Sequence, residues 1–292
     1  MSNSPQLTFQ QEKFEIEVYG YTIVENVLSQ EEASEIRKVL IRLDQQSGTE
    51  HRHLGTARHV ANLPTYDPIF FKTIDHPKVL PLIEYFMGDN IILGSLNARI
   101  VRPSDPEQKL HGDVPQLLIK KTAEFPVMMN TVWMLDEFTP DIGATRIVPG
   151  SHKSGYSQTP PGVEIKMIQT AAAPQGSVLI FNGQCWHGGG ANTSQRVRHA
   201  LFGHYRNGSW MRFQCDPHHR FKPEWLDLLT HRQKHYYVWK MELGLKQPQI
   251  STNDFKLIGH FTAYRRQVEP VLADKISTTR RKHRPFRIDK QP

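Results

Sequence analysis

The stretch from Ile91 to Tyr205 decides the fold, because five short β-rich runs follow one another in it. They are IILGSLNARIV (91–101), PVMMNTVWML (126–135), ATRIVPG (144–150), GSVLIFN (176–182) and RHALFGHY (198–205). Glycine, proline, asparagine and aspartate lie between the runs, as turns require. Short strands at such spacing are typical of an antiparallel barrel or a jelly roll. We therefore expect a mainly β fold.

Helices are predicted before this β region. A strand over Val18–Val27 leads to a helix that opens at Ser29, where Glu32 completes a capping box three residues later. The helix has an apolar stripe formed by Leu28, Ala33, Ile36, Val39, Leu40 and Leu43. A second helix near Pro77–Met87 should end at Gly88. The helices thus flank the β core on its N-terminal side.

The end of the chain differs from the β region in pattern and charge. Helical periodicity returns past Pro223 through about Leu243, and no repeat or long linker interrupts the chain. We therefore expect one catalytic domain over residues 1–270 and a basic tail over residues 271–292. The tail carries most of the net charge of +7. A solvated tail is the simplest interpretation, and a targeting or anion-binding tail is the alternative.

The composition narrows the class of protein. The 292 residues include only two cysteines, Cys185 and Cys215, without the CxxC spacing of zinc sites. This favours a reducing compartment, so we expect a cytoplasmic protein. No secretory signal is visible and no apolar run reaches membrane-spanning length. Because the charge concentrates in the tail, nucleic acid is not the expected partner; a small molecule is, and the oligomeric state stays open.

The chemistry is carried by His111, Asp113, His187 and Arg198. Residues i and i+2 of an extended segment point to the same side, so His111 and Asp113 can present an imidazole and a carboxylate to one ion. His187 lies in GQCWHGGGAN, where glycines let the backbone pass close to a bound group. Two histidines and one carboxylate are the ligand set of iron(II) oxygenases, with positions open for a co-substrate and O2. An isolated H-x-D triplet would be weak grounds among 15 histidines.

An arginine eleven residues after His187 fits the same chemistry. A turn through Asn192 and a returning antiparallel strand would bring Arg198 beside the metal residues. Its planar guanidinium can bind one carboxylate of a dicarboxylate through two hydrogen bonds. Arg196 lies two residues away on the same strand face and is the rival for this role.

Structural roles are expected for the adjacent acids Asp136 and Glu137, for His152 in a turn, for Cys185, and for the pair His231 and His235. On a strand, Asp136 and Glu137 would point to opposite sides, and Cys185 would point away from the metal. His231 and His235 lie four residues apart in a helical stretch. They lack the glutamate of an H-E-x-x-H zinc motif.

Three blocks resemble the phytanoyl-CoA dioxygenase family of Fe(II)/2-oxoglutarate oxygenases. They are HGD (111–113), WMLDEFTPDIGATRIVPGSH (133–152) and WHGGGANTSQRVR (186–198), and the similarity spans roughly residues 19–206. The resemblance implies a double-stranded β-helix, or jelly-roll, core. It also implies Fe(II) as the metal, with 2-oxoglutarate and O2 as co-substrates that leave as succinate and CO2.

Site roles follow from this resemblance. It makes His111, Asp113 and His187 the iron ligands, and Arg198 the partner of the distal carboxylate of 2-oxoglutarate. It places Trp133 on a strand lining the co-substrate pocket and makes Asn97 a further co-substrate candidate. Gly189 departs from relatives that carry a serine able to hydrogen-bond the co-substrate. Because the carboxylate of Asp113 is present, oxygenation is favoured over halogenation.

The substrate is open to several interpretations. We expect oxidation of a small polar metabolite by hydroxylation, dealkylation or C–N cleavage, in a setting such as secondary-metabolite biosynthesis. An acyl-CoA substrate is the alternative, and a jelly-roll metal protein that does not use 2-oxoglutarate is the alternative of another class. Candidates for an anionic substrate group are Arg58, His59, Arg99, Lys120 and Arg146. Each could equally be solvated or paired with an acid.

Overall fold

The protein is described from a computed structural model. It covers residues 5–46, 49, 51–54, 57–88, 91–116, 126–207, 225, 228–230 and 233. The helical pattern predicted from Pro223 to Leu243 falls largely outside these residues. The predicted boundary after residue 270, the basic tail, Cys215, Lys120, His231 and His235 lie wholly outside them.

Within the part of the chain that the structure describes, ten strands form two antiparallel sheets. In chain order they are β1 (Tyr21–Val24), β2 (His51–Leu54), β3 (Ala57–Val60), β4 (Ile91–Val101), β5 (Met128–Met134), β6 (Thr145–Ile147), β7 (Gln169–Thr170), β8 (Val178–Asn182), β9 (His187–Gly189) and β10 (Arg198–Asn207). The larger sheet has the order β1-β8-β5-β10-β4-β3-β2, and the smaller has β7-β6-β9. All five predicted β-rich runs contain a strand. The mainly β, jelly-roll prediction is confirmed.

Three α-helices precede β4 in the chain: α1 (Pro5–Tyr19), α2 (Gln30–Gln45) and α3 (Leu80–Met87). The capping box of α2 forms as predicted, since the Ser29 hydroxyl accepts from the Glu32 amide and the Glu32 carboxylate accepts from the Ser29 amide. Short 3-10 turns occur at Leu63–Thr65, Pro68–Thr73 and Ser151–Lys153. Among the described residues, no helix is long and apolar enough to cross a membrane.

Two predicted elements had wrong boundaries. The strand expected over Val18–Val27 covers only Tyr21–Val24, and its start is later because α1 continues through Tyr19 and Gly20 has φ +85°. The second helix begins at Leu80 rather than Pro77 and ends before Gly88, as predicted. Both corrections concern ends, where local pattern is weakest.

The larger sheet separates two cores. Its outer face packs with the helices, in a cluster that includes Ile36, Leu40, Leu82, Leu96, Trp133, Leu201 and Tyr205. Its inner face contributes to a second cluster that also contains residues of the smaller sheet: Val132, Met134, Phe138, Ile147, Phe181, Ala200 and Phe202. Alternation along each strand assigns successive side chains to opposite cores. The inner side is therefore where the candidate site residues must converge.

Candidate metal and co-substrate site

The backbone brings the two predicted metal-binding segments together. His111 and His187 form an antiparallel bridge, with N···O distances of 2.9 and 2.8 Å in the two directions. The Asp113 amide donates to the carbonyl of Gly183 at 2.8 Å. At Gly112 a Cβ would lie 3.1 Å from the carbonyl oxygen of Gln184, so a side chain there would crowd the neighbouring strand connection.

The three predicted ligands share one small volume. The Nε2 of His111 lies 3.7 Å from one Asp113 carboxylate oxygen, and the Nε2 of His187 lies 3.5 Å from the other. One donor atom of each residue lies within 4.8 Å of the others. The two imidazole rings are 4.7 Å apart between centroids. This donor set fits a first-row divalent metal with open positions.

Hydrogen bonds at the far ring nitrogens set the direction of both imidazoles. The Nδ1 of His111 lies 2.8 Å from the carbonyl oxygen of Lys109, and the Nδ1 of His187 lies 3.0 Å from that of Cys185. A carbonyl can only accept, so each Nδ1 carries the proton and each Nε2 lone pair is free for a metal. Burial also lowers the pKa of His187, which favours the neutral, ligating form.

The carboxylate of Asp113 is held by a neighbouring amide. Asn130 on β5 donates to Asp113 through Nδ2 at 2.6 Å. Burial by itself raises the pKa of Asp113, but the nearby His187, His204 and His111, with the Asn130 hydrogen bond, outweigh it and leave the pKa below its usual range. Asp113 is therefore ionised at neutral pH and can offer a charged oxygen to a metal.

Arg198 is the fully buried cation of the inner face. Its guanidinium lies 4.7 Å above the ring of Phe138, and its Nη1 donates to the carbonyl of Gly143. Its Nε and Nη2 are buried and have no hydrogen-bond partner in the described part of the chain. Burial, followed by the charge of Arg99, lowers the pKa of Arg198 to about 9. Two free donors on a buried guanidinium fit a carboxylate group.

The rival arginine occupies a different environment. Arg196 precedes β10, is half exposed, and lies 3.7 Å from Asp141 and 4.0 Å from Glu137. These carboxylates are on the surface, so Arg196 is occupied outside the site. Arg198 alone of the two lies on the inner face.

The structure places Trp133, which we predicted to bind the co-substrate, on the outer face of the larger sheet. Its ring belongs to the outer, helix-side core, 5.8 Å from the ring of His76, and its Nε1 donates to Thr131. Strand alternation turns Val132, not Trp133, toward the inner core. Asn97 does lie on the inner face of β4, where its Oδ1 accepts from the Asn62 amide at 3.0 Å.

Sequence reasoning missed Asn130, Gln108 and His204, and it did not connect Arg99 with the metal residues. Asn130 lies two positions before Val132 on β5, and His204 lies six after Arg198 on β10, so both share the inner face. Burial lowers the pKa of His204 to about 4. Asn130 and His204 could have been found from the sequence, because each lies an even number of positions along its strand from another inward residue. Gln108 lies on a loop without such periodicity.

The residues expected to be structural lie away from the metal side chains where the structure describes them. Asp136 contacts Arg37 and His199, while Glu137 is exposed. Cys185 is fully buried, and burial raises the pKa of its thiol to about 12. His152 is buried in the 3-10 turn Ser151–Lys153.

Comparison with solved structures shows the same fold. The epimerase SnoN from nogalamycin biosynthesis, described as alpha-ketoglutarate dependent, superposes with a TM-score of 0.58 at 18% identity, over 69% of this chain and 84% of that one. HygX from Streptomyces hygroscopicus, solved with nickel and 2-oxoglutarate bound, gives 0.57 at 17% identity, over 68% and 86%. At these identities the likeness concerns the fold.

Sequence relatives extend the comparison. An uncharacterised protein of Mycobacterium tuberculosis is 30% identical over 212 residues, 68% of this chain and 74% of the relative. Dioxygenase af480 of Aspergillus fumigatus is 28% identical over 145 residues, 49% and 46% of the two chains. The profile of the family described as phytanoyl-CoA dioxygenase (PhyH) matches residues 16–200. The chain therefore belongs to the phytanoyl-CoA dioxygenase family.

Proposed function

We propose that this protein is an Fe(II)- and 2-oxoglutarate-dependent dioxygenase that oxidises a small polar metabolite. The observation that carries the proposal is the presence of two features on the inner side of the larger sheet. One is the His111, Asp113 and His187 donor set, and the other is the buried guanidinium of Arg198 with two unpartnered nitrogens. A metal-binding jelly roll that used no dicarboxylate would have no need of that buried cation.

The donor set and the buried cation fit these groups. His111, Asp113 and His187 would hold the iron, and Arg198 would take the distal carboxylate of 2-oxoglutarate, as the resemblance implies. When bound, iron with 2-oxoglutarate supplies the oxidising chemistry: one atom of O2 enters succinate, CO2 is released, and the other atom enters a substrate C–H bond as a hydroxyl. Hydroxylation beside nitrogen or oxygen would lead to dealkylation or cleavage.

The protein's own groups supply orientation and charge. The carbonyls of Lys109 and Cys185 aim the two imidazoles, and the Asn130 amide aims the Asp113 carboxylate. Phe181 packs 4.6 Å from the ring of His187 and shields it from water. A site whose ligands are oriented before binding loses less entropy when the metal arrives.

Natural-product oxidation is the proposed biological setting. Fungal relatives include proteins named as dioxygenases, and the structural neighbour SnoN comes from nogalamycin biosynthesis. The test is a metabolite screen that reads succinate release with Fe(II), ascorbate and 2-oxoglutarate, with acyl-CoA esters included as one class. Succinate release stimulated by a polar metabolite would support the proposal. Release stimulated only by acyl-CoA esters would show that the substrate class is acyl-CoA instead. No binding of 2-oxoglutarate to the nickel-loaded protein would refute it.

A further inference from the structure

A second arginine lies on the inner face beside the metal residues. Arg99 is on β4, opposite Ala200 of β10, and its guanidinium lies 4.9 Å above the ring of Phe202. Its Nη1 would be 4.0 Å from a Cβ placed on Gly189, two residues after His187. Arg99 and Gln108 line a small pocket with Gly189 and Gly190. Arg99 is thus reachable from a pocket at the metal-binding segment.

The partners of Arg99 separate it from the other basic candidates. Arg58 pairs with Asp44 at 2.8 Å, and Arg146 pairs with Glu107 at 2.7 Å. Arg99 instead donates to two neutral groups, Nε2 of His59 at 3.2 Å and Oε1 of Gln108 at 2.8 Å. It makes no ion pair with any carboxylate in the part of the chain that the structure describes. Leaving a buried cation without a counter-charge is costly.

A count of formal charges, with the metal and 2-oxoglutarate bound, shows that one positive charge is left over. A divalent metal, ionised Asp113, protonated Arg198 and the dianion of 2-oxoglutarate cancel one another. Arg99 adds one positive charge that none of these groups balances. Burial lowers the pKa of Arg99, and the nearby charge of Asp113 offsets only part of this effect. A ligand with one negative charge would remove this imbalance.

We infer that Arg99, oriented by Gln108, binds a carboxylate of the substrate, which makes the enzyme selective for a monoanionic, carboxylate-bearing metabolite. The inference rests on the proposed function, since it names the substrate class of that site. Gln108 Oε1 is shared between Arg99 and the Gly189 amide, at 2.8 and 3.2 Å, and keeps the guanidinium at the pocket. The planar guanidinium can then donate to both carboxylate oxygens of the substrate.

The first experiment separates this role from one in co-substrate binding. Calorimetric titration of 2-oxoglutarate into nickel-loaded protein should give a Kd for Arg99→Gln within about threefold of wild type. Arg198→Gln should weaken it roughly 100-fold or more. If folded Arg99→Gln and Arg99→Lys lost as much affinity for 2-oxoglutarate as Arg198→Gln, Arg99 would be a co-substrate residue and the inference would be overturned. Absence of binding to the wild type would instead refute the proposed function.

The second experiment tests the substrate class. Carboxylic acids and their matched primary amides are screened for stimulated succinate release by the iron enzyme. Acids should stimulate, and their amides should do so at least about tenfold less, as expected for loss of a charged hydrogen bond. For the best acid, Arg99→Gln should raise KM by about tenfold or more, with partial rescue by Arg99→Lys.

Arg102→Gln is the matched control, because Arg102 is exposed and pairs with Asp44 outside the site. It should leave the acid preference and KM unchanged. Three outcomes would overturn the inference. The amides could stimulate succinate release as strongly as the acids, or no acid in the panel could stimulate it. The third is a KM for the best acid that is the same in Arg99→Gln and Arg102→Gln.

Discussion

At the scale of single residues, the site depends on orientation as much as on ligand identity. The imidazoles of His111 and His187, the proposed metal ligands, each have one nitrogen on a backbone carbonyl and the other turned to the shared volume. Asp113 has an amide partner of its own in Asn130. Such partners commonly affect metal affinity or activity by about 10–100-fold.

Removing either imidazole should abolish metal-dependent turnover while the fold persists. We expect His111→Ala and His187→Ala to lose activity by more than roughly 100-fold, because a site with three protein ligands has no replacement donor. Succinate release measures activity, and circular dichroism checks the fold. His76→Gln, on the outer face beside Trp133, is the control and should stay active. Full activity in either alanine variant would mean that the ligands are assigned wrongly.

Substitutions that displace the Asp113 carboxylate directly should impair the enzyme more than substitutions that only remove its hydrogen-bond partner. Asp113→Glu should lower turnover about 100-fold, since the added methylene moves the ligand by about 1 Å. Asn130→Ala should lower metal affinity roughly 10-fold, because it removes only the orienting hydrogen bond. Nickel titration and turnover are measured together. If Asp113→Glu were the milder of the two, Asp113 would not be a direct ligand.

At the scale of elements, the alternation of side chains along a strand separates the residues that face the site from those that pack in the outer core. On β10, Arg198, Ala200, Phe202 and His204 face inward, while Leu201 and Tyr205 join the outer core. On β5 the same rule turns Asn130 and Val132 inward. A side chain on these strands therefore faces the site when it lies an even number of positions from a known inward residue, and it packs in the outer core when the number is odd.

Arg198 at the start of β10 and Arg196 just before it should differ sharply in their effect on 2-oxoglutarate use. Arg198→Ala should nearly eliminate use of 2-oxoglutarate, because losing one partner of a buried ion pair costs about 3–5 kcal/mol. Arg198→Lys should raise the KM for 2-oxoglutarate with a smaller loss, since lysine restores the charge without the fork. Arg196→Ala should change this KM less than about threefold, as expected for a surface ion pair. A large rise only in Arg196→Ala would reverse the assignment.

The turn between α1 and β1 should tolerate no side chain. Gly20 has φ +85°, and a Cβ would lie 2.3 Å from the Cys185 sulfur. We expect Gly20→Ala to lower the free energy of unfolding by about 2 kcal/mol or more, from strain and overpacking together. Gly155→Ala is the matched control, with φ +75° and no atom within 4 Å of the Cβ. Equal losses in urea unfolding would show that packing at Gly20 contributes nothing.

At the scale of the whole molecule, buried histidines couple folding to pH. Burial lowers the pKa of His152 from 6.5 to about 4. The unfolded chain therefore takes up a proton near pH 6.5, whereas the folded chain stays neutral until about pH 4. The stability contributed by this group is full above pH 6.5 and is lost as the pH falls toward 4.

The Tm of the metal-free protein should accordingly fall between pH 6.5 and 4. The fall should be shallower in His152→Gln, which cannot take up that proton. Part of the slope should remain, because His204, which is partly buried, has a similarly low pKa of about 4. Differential scanning calorimetry across this range measures both. Parallel slopes for wild type and variant would contradict the assignment.

The sequence by itself determined the features that local chemistry controls. Turn residues delimited the strands between Ile91 and Tyr205, and the Ser29–Glu32 capping box located the start of α2, because both depend on neighbouring backbone groups. The i, i+2 spacing of His111 and Asp113, taken together with the surroundings of His187, led to the prediction of one shared ion. These interactions span few residues and can be recognised in a short window.

Only the tertiary structure decided which face of a strand is inward and which charge has a partner. Trp133 and Val132 are both apolar, and only the pairing of β5 with β8 and β10 settles which of them faces the site. Likewise Arg58, Arg99 and Arg146 are equivalent in sequence until Asp44 and Glu107 neutralise two of them. Register and ion pairing join residues far apart in the chain, so no local pattern encodes them.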